Sequence, residues 1–140
     1  MILQFNYEEL TALKAGARSF LGRDEESDSR VLAPPAERVR VEALLPRLEG
    51  DVSVPTLAEL RAVRSAVDAI VECLRVEMES VVVATHAADE QAVAAYFDFA
   101  HALTVAHRLD EMASEMEAMI ELVTGEPSTS ATSRSFHFPD

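Results

Sequence analysis

Apolar residues return every three or four positions along most of this chain, which is the period of a helix and not of a strand. The opening "MILQF" is the exception, a short apolar run that reads as extended. Asn6 then stands as an N-cap with Glu9 at N3, a capping-box pair. Leu10, Leu13, Ala17 and Phe20 follow at helical spacing. Gly22 is the expected stop of this first helix, and Gly16 inside it is a place where a neighbouring helix can come close. Residues 23–33, "RDEESDSRVLA", read as a charged, mobile linker. Pro34 and Pro35 open a second helix, with Val39, Leu44, Leu45 and Leu48 on its apolar side. Pro46 bends or ends its last turn. Gly50 closes it, and "DVSV" is expected to be a loop.

From Thr56, N-cap to Glu59, the chain runs to Thr124 without a glycine or proline. One helix of that length would reach about 100 Å at ~1.5 Å per residue. The signal thins to alanine at 84–90, so an antiparallel hairpin is expected, about 56–84 and 87–124, with Thr85 capping its second arm. The first arm carries a large-residue stripe of Leu60, Val63, Val67, Ile70, Leu74 and Val81, with Met78 beside it. It also carries a small-residue seam: Ala62, Ala66, Ala69, Cys73, Val76, Ser80 and Val83. That seam suits a closely packed helix, from the chain's own first two helices or from a second copy in a homo-oligomer. The second arm places Phe99, Ala102, Ala106, Leu109, Ala113, Met116, Ile120 and Val123 in its stripe, widened by Val105, Met112 and Met119. The fold class is therefore all-α: an antiparallel helical bundle dominated by a long α-hairpin, with two shorter N-terminal helices, a short extended N-terminal segment and a flexible C-terminal tail.

Length and composition narrow the partners more than the fold. The 140 residues suit one domain, 1–125, followed by a Ser/Thr-rich tail, 126–140. A formal net charge of −13 opposes phosphate backbones and anionic membrane surfaces, and favours a basic protein partner. Residues 57–125 alone carry thirteen acidic and four basic side chains, a net of −9. Cys73 is the single cysteine, so a reducing, cytoplasmic setting is expected. Neither a secretory signal nor a membrane-spanning run is read in the chain.

Candidate chemistry concentrates in "YFDFAHALTVAH", residues 96–107. His101 and His107 are six residues apart, about 120° around a helix, too far for one ion. His107 falls on the polar side. His101 sits at the margin of the apolar stripe with Asp98 three residues before it, on the same face. In an antiparallel hairpin turning near 87, facing residue numbers add to about 175, which brings Glu77 level with Asp98 and Leu74 level with His101. A polar layer of Glu77, Asp98 and His101 is the resulting hypothesis. It is a structural hydrogen-bond layer, or else the core of a metal- or ligand-binding enzyme. The sequence lacks the paired ExxH motifs of di-iron bundles, a phosphate loop and a nucleophile elbow, so no cofactor and no catalysis are expected. At the other end, "SFHFPD" sets Phe136 and Phe138 on one side of an extended segment, with His137 between them and Pro139 after them. It reads as a docking segment, for a partner or for "MILQF". The functional expectation is a non-catalytic interaction protein: an adaptor, immunity-like or scaffold component.

Overall fold

The computed structural model describes residues 1–26, 35–85 and 90–125. In chain order these form β1 (Ile2–Leu3), α1 (Tyr7–Glu26), α2 (Pro35–Leu44), one 3-10 turn (Leu45–Arg47), β2 (Val52–Ser53), α3 (Leu57–Thr85) and α4 (Glu90–Thr124). The fold is the expected all-α bundle, with α3 and α4 as its two long arms. They run antiparallel, because the start of α3 meets the end of α4: Arg61 pairs with Glu117 at 2.7 Å and Arg64 with Asp110 at 3.8 Å. Both pairs keep the register in which facing numbers add to about 175. Thr85 ends α3, and so is not the cap of α4; residues 86–89 lie outside the described residues.

Helix starts follow the caps written in the sequence. Glu9 donates its N–H to Asn6 Oδ1 at 2.7 Å, and Asn6 donates its own to Glu9 Oε1 at 3.1 Å. Glu59 N–H likewise reaches Thr56 Oγ1 at 3.1 Å. Each bond satisfies an amide that the first helical turn leaves unpaired. Pro46 falls in the 3-10 turn that closes α2, where its missing N–H does least harm.

Three expectations change. Gly22 does not stop α1, which continues to Glu26; a mid-helix glycine costs only about 1 kcal/mol, and good helix formers follow it. Residues 51–54 are not simply a loop. Ile2 pairs with Ser53 and Leu3 with Val52 in a short antiparallel ladder, and Val54 N–H donates to the Met1 carbonyl at 2.9 Å. Val52 and Val54 point inward while Ser53 faces water, the period of two expected of a strand. On α2 Leu44 is buried as expected, but its companion is Val41 and not Val39, which is 61% exposed.

One hydrophobic cluster runs from Leu3 through Val41, Leu60, Val67 and Ile70 to Leu109 and Ala113. Gly16 is where α1 meets α3 most closely. A Cβ there would lie 2.5 Å from Ile70 Cγ2 and 2.9 Å from Leu74 Cγ, so the absent side chain sets the helix spacing. The small-residue seam divides. Ala66 and Cys73 are buried and Ala69 half-buried, whereas Ala62, Val76, Ser80 and Val83 are exposed. Residues of α1 and α2 flank its middle: Ser19 lies against Cys73, and Ala43 and Leu44 border a shallow hollow with Ala62 and Val63. The stripe of α4 also outruns the core, leaving Met119, Ile120 and Val123 exposed.

Candidate functional site: an aromatic hollow between α1 and α4

The Asn6 cap fixes where α1 begins, and so places Tyr7 and Glu8 in its first turn and Thr11 one turn on. On α4, Ala94, Phe97, Asp98 and His101 share a face by three- and four-residue spacing. These seven residues line a hollow of about 270 Å³. Its rings are ordered. Phe97 lies near-parallel to the His101 imidazole at 6.4 Å, and Tyr96 meets Phe97 edge-on at 5.7 Å. These aromatics are not core: Tyr7 is 77% exposed, and Tyr96 and Phe97 are each about half exposed. Val93, also half exposed, extends the patch by a turn.

Two carboxylates border this aromatic wall. Partial burial pushes Asp98 above the usual aspartate range, while the neighbouring His101 opposes the shift. Arg108, further along α4, is already engaged. Arg108 grips Glu9 with both terminal nitrogens, Nη2 to Oε1 at 2.8 Å and Nη1 to Oε2 at 3.1 Å, and reaches the Gln4 carbonyl at 3.4 Å. This fork holds the Glu9 carboxyl below the usual glutamate range against the opposing effect of burial, with further help from the Asn6 N–H. It also raises the Arg108 guanidinium. Glu9 is thus at once a helix cap and the anchor of α4. The sequence gives no sign of this pair: an N3 glutamate does not reveal which distant cation it will meet.

The proposed trio of Glu77, Asp98 and His101 is divided. Asp98 and His101 are together, beside Tyr7, Glu8 and Thr11. Glu77 accepts a hydrogen bond from Ser19 Oγ on α1 and stands 3.9 Å from the buried Cys73 sulfur. Thr11 and Ser19 are separated by about 12 Å of helical rise. Ser19, which the sequence reading did not single out, is what draws Glu77 away. Among the described residues no three His, Cys, Asp or Glu side chains converge to hold a metal ion. His107 lies exposed on α4. Phe136, His137, Phe138 and Pro139 lie outside the described residues.

A second hollow, about 360 Å³, lies among α1, α2 and α3, lined by Phe20, Glu37, Ser65, Asp68, Ala69, Glu72, Cys73 and Val76. Two of its polar side chains have arginine partners. Arg75 binds Glu72, and Arg40 donates to Ser65 at 3.1 Å. The α1–α4 hollow joins exposed rings to carboxylates left without a hydrogen-bond donor among the described side chains. Such a surface can hold a cation or an apolar group.

The chain was compared with protein-family models, curated proteins and solved structures. No match was found in any of the three. No helix among the described residues is long and apolar enough to cross a membrane.

Proposed function

We propose that this chain is a non-catalytic, acidic helical interaction protein, an adaptor, immunity-like or scaffold component of the cytoplasm, that binds a basic protein partner on its α1–α4 face. The observation that carries the reading is the exposed cluster of Tyr7, Tyr96 and Phe97 beside Glu8 and Asp98. Exposed aromatics grouped on one face are rare away from contact surfaces, and aromatic anchors dominate interface energetics. A net charge of −13 steers a positively charged partner toward the molecule. The Phe136–Pro139 segment is a second point of contact in this reading.

The test is affinity purification from the native host with the full chain, in parallel with a Tyr7→Ser/Phe97→Ser variant of unchanged circular dichroism. The expected result is a strongly basic protein retained by the wild type and lost from the variant, with weaker recovery when residues 134–140 are deleted. Equal recovery by both would remove the α1–α4 face from the reading. Stoichiometric metal in the purified protein, lost on His101→Ala, would replace the reading with a metalloprotein.

A further inference from the structure

We infer that the hollow between α1 and α4 receives one arginine or lysine side chain projecting from a basic segment of the partner protein. This rests on the proposed function and adds the chemistry of its anchor point. A bare apolar groove would not select a cation, and a bare acidic cluster would not desolvate one. Here the two occur together. Tyr7 and Phe97 line a hollow of about 270 Å³, room for a guanidinium or ammonium group with part of its stem. Glu8 and Asp98 stand at the same hollow as counter-charges. Neither accepts a hydrogen bond from a described side chain, so an incoming donor displaces water alone. Arg108, the nearby cation that would otherwise fill this role, is held by Glu9 with both terminal nitrogens. The His101 ring stacks against Phe97 at the same hollow.

Charge complementarity decides the occupant. A second copy of this acidic chain would bring like charge to the hollow, and a nucleic acid would bring phosphates. A basic peptide segment brings the missing charge and main-chain donors besides.

The experiment is an NMR titration of the full chain with three blocked tripeptides, acetyl-Gly-X-Gly-amide, with X as Arg, Lys or Gln. The expected result is saturable shifts confined to Tyr7, Phe97, Asp98 and His101 with the Arg and Lys peptides, and none with Gln. Asp98→Asn and Phe97→Leu should each weaken the Arg peptide about threefold to fivefold, the first by removing a counter-charge and the second by removing the ring face while keeping an apolar side chain. Equal binding of the Gln peptide, or shifts spread over the whole acidic surface, would overturn the inference. So would binding of tetramethylammonium chloride with no binding of either basic peptide, which would point to a small cation. If the peptides fail while Phe97-dependent capture of a basic protein persists, the interaction reading stands and this anchor falls. If the peptides bind but no partner depends on Phe97, the reverse holds.

Discussion

Gly16 and Gly22 lie in the same helix, six residues apart, and the same substitution should move stability in opposite directions at the two sites. Alanine at either position recovers about 0.5–1 kcal/mol of helix propensity. At Gly22 nothing lies within 4 Å of the new Cβ, so that gain is the whole effect. At Gly16 the new carbon would meet Ile70 Cγ2 at 2.5 Å and two Leu74 atoms at 2.9 and 3.0 Å. Both partners are buried, Ile70 completely, and have little space to retreat into. Forcing a methyl into a filled interior costs about 1–3 kcal/mol. Gly16→Ala should therefore destabilise by about 1 kcal/mol net and Gly22→Ala should stabilise by up to about 1, a separation near 2 kcal/mol. Urea unfolding followed at 222 nm reads this as opposite shifts of the midpoint at constant slope. Ile70→Ala removes the clashing carbon, so Gly16→Ala should cost measurably less in that background. Equal midpoints for the two single variants, or no coupling to Ile70, would refute close approach as the reason for Gly16.

Removing the α1–α4 fork should be costly and pH-dependent. Arg108→Ala leaves Glu9, 5% exposed, without its strongest partner and should lose about 1–2 kcal/mol at pH 7, discounted for the partly exposed guanidinium. The folded Glu9 carboxyl titrates below its unfolded value, so its contribution is complete above about pH 4.5 and disappears as pH falls through the lower folded value. Wild type and Arg108→Ala should thus converge in acid thermal melts; a gap unchanged down to pH 2 would count against the ion pair. Asp68 behaves in the opposite sense, raised by burial and by Asp110, with Arg64 opposing. Its charge costs stability above the raised folded value and nothing below the unfolded value of about 3.8, so Asp68→Asn should raise the melting temperature at pH 7 and leave it unchanged at pH 3. Stabilisation of the same size at both pH values would mean that the charge is not the cause.

Where periodicity and caps act within a few residues, the sequence was readable. Asn6 with Glu9, Thr56 with Glu59, the stripe from Leu60 to Leu74 and the register of the long arms all follow from local spacing. Errors arose where a distant neighbour decided the outcome. Val39 and Val41 are equal by composition, and only the way α2 docks in the finished bundle buries one and leaves the other exposed. Val52 and Val54 needed Met1 and Leu3 to become a strand. Glu77 fits an interior layer by register, yet Ser19 claims it from another helix. At the candidate site, the shared face of Asp98 and His101 was legible. The contribution of Tyr7 was not, because it depends on how α1 crosses α4, which nothing in the spacing of either helix encodes.

The Glu9–Arg108 fork joins residues 99 positions apart. At about 5–20 residues per second of translation, roughly 5–20 s separate the emergence of the two partners. Throughout that interval α1 can nucleate on Asn6 but holds a carboxylate that the finished molecule conceals, and α4 has yet to supply its share of the interior. The nascent chain is thus an acidic, half-assembled bundle whose first helix has α3 to rest on but not α4.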